Sequence, residues 1–211
     1  MSVHVKICGL QEETGLNAAV AAGARYVGFV FCDPSRHRLT AEQARPLALH
    51  VPAQVQSVGL FVDPTDDELR AVTEAVPLNI LQLHGHETPQ RVMAVRAATG
   101  LPVMKTIHIA TADDLAVVPA YEATADLLLF DTKLGPQPSG GTGVAFDWSL
   151  LKGRRFAKPW MLAGGLKTTN LAAAVAATGA PCVDVSSGVE DGAGHKSPEI
   201  ICAFLSLAAG L

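Results

Sequence analysis

Residues 159–188 read PWMLAGGLKTTNLAAAVAATGAPCVDVSSG, and this stretch contains one complete repeat of the pattern that decides the fold. A short apolar run is followed by a Gly-Gly turn, an alanine-rich segment, Gly179 and a second β-branched run. The two apolar runs predict strands, and the segment between them predicts a helix that ends at a glycine. Because a strand, a helix and a strand in this order require a crossover, the two strands should be parallel.

The same alternation extends through the rest of the chain and predicts eight strands. They are Val3–Ile7, Tyr26–Phe31, Val55–Val62, Asn79–Leu83, Pro102–Ile107, Leu127–Asp131, Pro159–Ala163 and Cys182–Ser186. Predicted helices include Glu12–Ala22, Ala41–Leu49, Asp66–Ala75, Pro89–Ala98, Leu171–Ala177 and Pro198–Leu207. Eight such units fit a closed barrel, and the first turn, CGLQEE, lacks the GxGxxG of a dinucleotide-binding sheet. We therefore expect one (β/α)₈-barrel domain over residues 1–211.

The ends of several predicted helices carry recognisable signals. Expected N-caps are Thr40, with Gln43 completing a capping box, Thr88 before Pro89, and Ser197 before Pro198. Glycines expected to end helices are Gly23, Gly100 and Gly179. These signals bound the helices independently of the apolar pattern.

Composition excludes several classes of protein. Of the 211 residues, 49% are hydrophobic and 5% aromatic, and the net charge is −4. With neither a basic cluster nor a long apolar run, we expect no nucleic-acid partner and no membrane span. The N-terminus does not resemble a signal peptide, and the cysteines (Cys8, Cys32, Cys182 and Cys202) have no disulfide or metal-ligand spacing. These features favour free thiols in a cytoplasmic protein without a bound metal.

Small residues cluster after the last three predicted strands, where many barrels of this class hold a phosphate. They are Gly141 and Gly143, Gly164 and Gly165, and Ser187 and Gly188. Glycine allows the backbone to approach a ligand closely, and successive N–H groups stabilise an anion. Although tight turns alone also require glycine, three such turns on one rim predict a phosphate site.

Asp131 ends the apolar run LLLFD of the sixth predicted strand. Burial there should raise the pKa of its carboxyl group and favour the acid form near neutrality. The alternative is a structural role, in which Asp131 caps the loop that follows. The sequence predicts a general acid without excluding the cap.

Cys8 ends the first predicted strand, and strand alternation places Lys6 on the same, inward face. An inward cation should lower the pKa of the thiol from about 8.5, although a lone cysteine is more often a small core residue. A buried lysine needs a partner, and Asp184 is the acidic residue of the last predicted strand, which closes against the first. We therefore expect a Lys6–Asp184 pair beside Cys8.

His84 follows Gln82 with inward parity in the fourth predicted strand. Two interpretations remain open for it, a polar interior residue or a contact to the substrate. The other histidines show no spacing typical of metal ligands.

Seven segments together resemble the phosphoribosylanthranilate isomerase family of tryptophan biosynthesis. They are KICGL at 6–10, GFVF at 28–31, VGLFV at 58–62, LQLHG at 81–85, GGTGVAFDW at 140–148, LAGGL at 162–166 and DVSSGVED at 184–191. The segments occur in family order and span almost the whole chain. The resemblance implies an Amadori rearrangement of N-(5-phosphoribosyl)anthranilate, with Cys8 as general base and Asp131 as general acid. It implies no metal and no organic cofactor, because the substrate's own nitrogen accepts the electrons.

The chain departs from the family in the segment after the second strand. The family has a Ser-x-Arg segment whose arginine holds the substrate carboxylate, whereas this chain reads Ser35-Arg36-His37-Arg38. Imidazole cannot pair bidentately with a carboxylate as guanidinium does. Arg36 or Arg38 can replace the family arginine after a small shift of the loop, and we expect Arg36 to do so through a one-residue shift; His37 or a backbone group is the alternative.

Two other functions compete with this interpretation. Indole-glycerol-phosphate synthase would require several catalytic lysines and glutamates on the rim, and the bifunctional histidine/tryptophan isomerase would have aspartate in place of Cys8. A non-catalytic phosphate-binding barrel is a third class, and it would not require both Cys8 and Asp131. The expected partner is the small phosphorylated sugar–anthranilate substrate, bound by a monomer or a homodimer.

Overall fold

The computed structural model describes residues 2–133 and 145–211 and contains a closed barrel of eight parallel strands. The strands are β1 (His4–Cys8), β2 (Tyr26–Val30), β3 (Gln56–Phe61), β4 (Ile80–Leu83), β5 (Val103–Ile109), β6 (Leu127–Thr132), β7 (Trp160–Leu162) and β8 (Cys182–Val185). Each strand pairs with the next one, and β8 closes against β1. The predicted (β/α)₈ fold class is confirmed, and every predicted strand is present with ends that differ by one or two residues.

Helices cover the outside of the barrel. They are α1 (Glu13–Ala21), α2 (Ala41–Leu49), α3 (Asp66–Ala75), α4 (Pro89–Thr99), α5 (Val118–Glu122), α6 (Leu171–Thr178) and α7 (Pro198–Ala209). Three short 3₁₀ helices add to these at Ala112–Val117, Trp148–Leu151 and Ser187–Val189. The predicted ends of α2 and α3 match at both termini, whereas the short α5 and the 3₁₀ helices were not predicted, because one or two turns leave little periodicity in a sequence.

The predicted end signals form the expected bonds. The Thr40 hydroxyl accepts from the Gln43 N–H, and the Gln43 side chain accepts from the Thr40 N–H, which completes the capping box. The hydroxyls of Thr88 and Ser197 cap α4 and α7 in the same way. Gly100 and Gly179 end α4 and α6 with φ of 69°, a left-handed conformation that costs other residues energy.

The core has two parts that matter for the site. A large apolar layer lies between the strands and helices, and an apolar cluster including Val58, Met104 and Leu129 fills part of the interior. Other buried interior side chains are polar, among them Lys6 and Gln82. The interior of the barrel therefore combines an apolar floor with a polar layer under the strand ends. Among the described residues, no helix has both the length and the apolar character needed to cross a membrane.

Candidate active site

A cavity of about 710 Å³ opens where the strands of the barrel end. The predicted site residues that line it are Cys8, Arg36, His84, Asp131, Gly164, Gly165, Asp184 and Ser187. Lys6 is fully buried beneath the cavity, while Arg38 and Gly188 do not line it. Gly141 and Gly143 lie outside the described residues. The cavity thus brings together side chains from both ends of the chain.

Lys6 and Asp184 form the predicted buried pair. They lie opposite each other in the β1–β8 register, and Lys6 Nζ donates to Asp184 Oδ1 over 3.0 Å. Burial alone would lower the pKa of Lys6, but the charges of Asp184 and Cys8 outweigh it and raise that pKa above its usual value. Lys6 is therefore a permanent cation beneath the cavity.

Cys8 faces the cavity as predicted, but the predicted direction of its pKa was wrong. Burial raises the pKa of the thiol and is the largest influence, ahead of the opposing charge of Lys6. Asp184 raises that pKa further, and Lys196, which sequence reasoning did not find, lowers it. Because desolvation outweighs the nearby cations, the thiol rather than the thiolate predominates in the free protein.

Asp131 behaves as the sequence predicted. Burial raises the pKa of its carboxyl group from 3.8 to about 7, although the backbone N–H of Thr132, 2.7 Å from Oδ1, lowers it. Asp184 adds to the rise, and Lys6 opposes it. Gly164 leaves room for this carboxylate, since a Cβ there would lie 3.0 Å from Asp131 Oδ1 and 2.3 Å from Thr132 Oγ1. A substantial fraction of Asp131 is therefore protonated at neutral pH.

His84 lies beside Asp131, with Nε2 3.5 Å from Asp131 Oδ2. Its Nδ1 lies 3.1 Å from the amide nitrogen of Gln82 and 3.0 Å from the hydroxyl of Thr106. The ring of His108 packs edge-on against that of His84. Thr106 and His108 were not singled out from the sequence, although alternation along β5 places both on the same face and would have found them.

The turns after β7 and β8 contain the described part of the predicted phosphate site. Gly164 and Gly165 have φ of 89° and 64°, which favours glycine at both positions. A Cβ on Gly188 would lie 1.8 Å from the backbone oxygen of Leu166, so the two turns touch at a point where no side chain fits. Ser187, which precedes Gly188 in the second turn, lines the cavity. The arrangement is a cradle of small residues to which Ser186 and Ser187 add two hydroxyl groups.

The three basic residues of the β2–α2 loop differ in position. Arg36 lines the cavity with its side chain 58% exposed, and its guanidinium pairs with Glu190. His37 is buried, with Nε2 3.0 Å from Glu190 Oε1, and burial lowers its pKa. Arg38 pairs with the exposed Asp33 over 3.4 Å. Arg36 and His37 both line the cavity and Arg38 does not, so Arg36 is the arginine that a ligand in the cavity can reach.

Glu190 and Lys196 form a buried charged cluster that sequence reasoning missed. Lys196 Nζ lies 2.6 Å from Glu190 Oε1 and 3.0 Å from both the carbonyl and the hydroxyl oxygen of Ser186. Glu190 also holds Arg36 and His37, so it ties the β2–α2 loop to the segment after β8. No local pattern indicates this pairing, because 154 residues separate Arg36 from Glu190.

Among the described residues, His84, His108 and Asp131 place potential metal-ligand atoms within 4.8 Å of one another. However, His84 Nδ1 faces Gln82 and Thr106, and His108 Nε2 is hydrogen-bonded to the carbonyl oxygen of His84 over 2.9 Å. These bonds occupy one ring nitrogen of each histidine, whereas His84 Nε2 has no hydrogen-bond partner among the described residues. The prediction that the site needs no metal stays a prediction.

A closed parallel barrel with ionisable groups gathered at the strand ends defines a (β/α)₈-barrel enzyme. The family model described as N-(5'phosphoribosyl)anthranilate (PRA) isomerase matches residues 5–206. The N-(5'-phosphoribosyl)anthranilate isomerase of Rhodospirillum centenum is 54% identical over all of both chains, and that of Paracoccus denitrificans is 53% identical over 99% of this chain and 98% of the relative. The chain therefore belongs to the phosphoribosylanthranilate isomerase family, whose enzymes are isomerases of tryptophan biosynthesis.

Solved structures agree with this assignment. The phosphoribosyl anthranilate isomerase of Thermotoga maritima superposes with a TM-score of 0.88 at 33% identity, covering 99% of this chain and all of that one. A phosphoribosyl anthranilate isomerase in complex with reduced 1-(o-carboxyphenylamino)-1-deoxyribulose 5-phosphate superposes with a TM-score of 0.86 at 32% identity, with the same coverage. The likeness therefore extends over the complete barrel.

Proposed function

We propose that the chain converts N-(5-phosphoribosyl)anthranilate to 1-(2-carboxyphenylamino)-1-deoxyribulose 5-phosphate by an Amadori rearrangement, with Asp131 as general acid and Cys8 as general base. The observation that carries this proposal is the presence, in one cavity, of a thiol and a carboxyl group whose pKa is about 7. An acid with a pKa near the working pH transfers protons most effectively. An acid and a base in one cavity suit a reaction in which one proton is donated to the substrate and another is removed from it.

The first step uses the acid. Asp131 donates its proton to the ring oxygen of the furanose, the bond between that oxygen and the anomeric carbon breaks, and the anthranilate nitrogen supplies the electron pair. The products are an open-chain iminium ion and the Asp131 carboxylate. Because the iminium nitrogen then accepts the electron pair of the C–H bond broken in the second step, this chemistry requires no metal and no organic cofactor.

The second step uses the base. Cys8 thiolate removes the proton from the sugar carbon next to the iminium, and the resulting enolamine tautomerises to the ketone. Since burial keeps Cys8 mainly as the thiol, the thiolate must be favoured when the substrate is bound. The positive charge of the iminium acts in that direction and adds to the charges of Lys6 and Lys196.

Two regions of the cavity are proposed to bind the ends of the substrate. Phosphate is assigned to the small-residue turns at Gly164, Gly165, Ser187 and Gly188, together with Gly141 and Gly143 outside the described residues. The carboxylate is assigned to Arg36, and the aromatic ring to the apolar wall of Val30, Leu60 and Val62. Guanidinium suits a carboxylate because it offers two parallel donors.

We further propose a cytoplasmic enzyme that acts on this small molecule and on no nucleic acid. Its assembly is proposed to be a monomer or a homodimer. One of the similar solved structures is described as monomers generated from the dimeric enzyme of Thermotoga maritima, and it superposes with a TM-score of 0.85.

The test is turnover of N-(5-phosphoribosyl)anthranilate, generated in situ, by the purified chain and two variants. Cys8→Ala and Asp131→Asn should each lower the rate by about 10²–10⁴-fold or more, and both variants should remain folded. Matched controls are Cys202→Ala and Asp67→Asn, which replace exposed residues of the same types and should leave the rate unchanged. Near-wild-type turnover by either folded site variant would falsify the assignment of that residue.

A further inference from the structure

The imidazole of His84 has two different sides. Its Nδ1 side faces the amide of Gln82 and the hydroxyl of Thr106, and these two groups are themselves 3.2 Å apart. Its Nε2 side faces Asp131 Oδ2 over 3.5 Å and has no hydrogen-bond partner among the described residues. A buried polar atom without a partner costs free energy, so its position next to the carboxyl group requires an explanation.

The contacts at Nδ1 determine which nitrogen carries the ring proton. The Gln82 amide nitrogen, 3.1 Å away, is a donor, and it would repel a protonated Nδ1. Thr106 can donate its hydroxyl proton to the same nitrogen while accepting from Gln82. With the Gln82 amide in this orientation Nδ1 is the acceptor, and these contacts indicate that the ring proton lies on Nε2, directed at Asp131.

We propose that His84 is a positioning residue whose Nε2–H stabilises the Asp131 carboxylate that forms when Asp131 protonates the substrate. This inference rests on the proposed function, since it presumes that Asp131 is the acid. A separation of 3.5 Å is too long for a good hydrogen bond, so the interaction is weak while Asp131 is protonated. It strengthens once the oxygen bears a full charge, and such a difference between the two states accelerates a reaction.

The charge of His84 is consistent with this role. Burial, followed by the charges of His108, Lys105 and Lys6, lowers the pKa of His84 well below 6.5, so the ring is neutral at physiological pH. An imidazolium at this position would attract the carboxylate and lower the pKa of Asp131, which would then be ionised before the substrate arrived. A neutral donor lowers that pKa far less than an imidazolium would, so the pKa stays near 7, where burial is the largest influence.

The first experiment reads the proton directly. Long-range ¹H–¹⁵N spectra of the wild-type protein, with His84 identified from the spectrum of His84→Gln, should show Nδ1 unprotonated and Nε2 protonated from pH 6 to pH 9. A proton on Nδ1, or a doubly protonated ring, would overturn the inference. This measurement uses the free protein, so it does not depend on the proposed activity.

The second experiment compares two amide substitutions. Glutamine places its amide nitrogen near the position of Nε2, whereas asparagine places it near Nδ1. His84→Asn should therefore lower kcat by about ten- to a hundred-fold with little change in KM, because a hydrogen bond to a charged group is lost. His84→Gln should recover most of that loss. Equal activity of the two variants would contradict a role for the Nε2 donor.

The pH profile separates this role from a merely structural one. Loss of a donor to the carboxylate should raise the pKa of Asp131, so the alkaline limb of kcat/KM for His84→Asn should move to higher pH. If the substitution only loosened the site, water would enter and the limb would move toward lower pH. An unmoved limb or a downward shift would sink the proposal.

Thr106→Val tests the contact on the Nδ1 side of His84, and Thr124→Val is its matched control. Both replace a buried hydroxyl, but that of Thr124 bonds the carbonyl oxygens of Ala120 and Tyr121, away from the cavity. Thr106→Val should lower kcat several-fold, and Thr124→Val should leave it unchanged. If the wild-type protein turns over no substrate at all, the proposed function fails, while the spectra still decide the state of His84.

Discussion

Lys6 and Lys105 are both buried in the barrel and each is paired with a carboxylate, but the two pairs have opposite properties. Lys6 points into the barrel and pairs with Asp184, which lines the cavity. Lys105, by strand alternation, points outward, and its Nζ lies 2.7 Å from Glu87 Oε2 and 2.7 Å from the carbonyl oxygen of Gly85. The pKa of Lys6 is raised above its usual value, whereas burial lowers the pKa of Lys105 despite the opposing effect of Glu87.

The difference lies in the groups around each lysine: Asp184 and Cys8 together outweigh burial at Lys6, whereas Glu87 does not outweigh burial at Lys105. Glu87 is buried, and its other oxygen accepts from the backbone N–H groups of Asp63 and Gly85, so the Lys105 pair fastens the loop that follows β4. The charges of Lys6 and Asp184 change the pKa of both Cys8 and Asp131. The Lys105 pair thus stabilises the backbone of a loop, while the charge of Lys6 acts on the two groups proposed to react, Cys8 and Asp131.

The largest expected effect is that of Lys6→Met. This variant should lose about 3–5 kcal/mol of unfolding free energy, because Asp184 stays buried without its cation. Turnover of the folded fraction should fall more than about 100-fold, because the pKa of Cys8 rises further when Lys6 is removed. Urea denaturation measures the first effect, and the pH dependence of Cys8 alkylation by iodoacetamide measures the second.

A double variant separates the two effects. Lys6→Met with Asp184→Leu removes both charges, and it should recover much of the stability without recovering turnover. Recovery of turnover together with stability would mean that the pair is structural, as the Lys105 pair is expected to be.

Lys105→Met should reduce the stability of the protein as much as Lys6→Met does, but should reduce its turnover much less. The loss of unfolding free energy should again be about 3–5 kcal/mol, because Glu87 becomes an unpaired buried charge. Turnover of the folded protein should fall at least tenfold less than in Lys6→Met, since Lys105 does not line the cavity. Denaturation and steady-state kinetics on one preparation test this. Comparable losses of turnover in the two variants would remove the distinction between the pairs.

Asp131 can be compared with these two ion pairs because it is also a buried carboxyl group. Its neighbouring charges do not keep it ionised. Its pKa is about 7 in the folded protein and 3.8 as the ordinary value, so the folded state binds the proton more tightly. Stability should therefore fall as pH rises from about 4 to 7 and remain reduced above that window. Asp131→Asn should be more stable than wild type at pH 8, by up to about 4 kcal/mol, with the difference vanishing near pH 4. Urea denaturation at the two pH values decides whether this linkage exists.

The smallest expected effect on stability belongs to the pair formed by the exposed Arg36 and the buried Glu190. Arg36→Ala should lower kcat/KM about ten- to a hundred-fold, with a smaller loss for a substrate analogue that lacks the carboxyl group. Its stability should change by no more than about 1 kcal/mol, since the Arg36 side chain is exposed and the buried Glu190 keeps its ion pair with Lys196. Arg38→Ala is the control, and a selective loss in that variant instead would assign the carboxylate to Arg38.

Most of the fold could be predicted from the sequence because its signals are local. The alternation of β-branched and alanine-rich segments located all eight strands, and the capping box at Thr40 located the start of α2. The short α5 was missed because one helical turn leaves no periodicity. Closure of the barrel followed from counting units rather than from any single residue.

The site was less predictable, because its properties depend on burial depth and on contacts distant in sequence. Alternation on β1 correctly paired Lys6 with Asp184, but it could not show that desolvation outweighs Lys6 in setting the pKa of Cys8. The cluster of Glu190 and Lys196 with Arg36 was missed because no short motif connects these residues. Family resemblance indicated which residues react, whereas the three-dimensional structure indicates what sets their protonation.

The Lys6–Asp184 pair also affects how the chain folds during its synthesis. Its two members are 178 positions apart, so a ribosome synthesises Lys6 and Cys8 long before the residue that neutralises the lysine. Until β8 leaves the exit tunnel, β1 has a free edge and an uncompensated charge facing the barrel interior. The nascent chain can gain helices and neighbouring strand pairs progressively, but the environment of the thiol forms in a single late event, when the last strand joins the first.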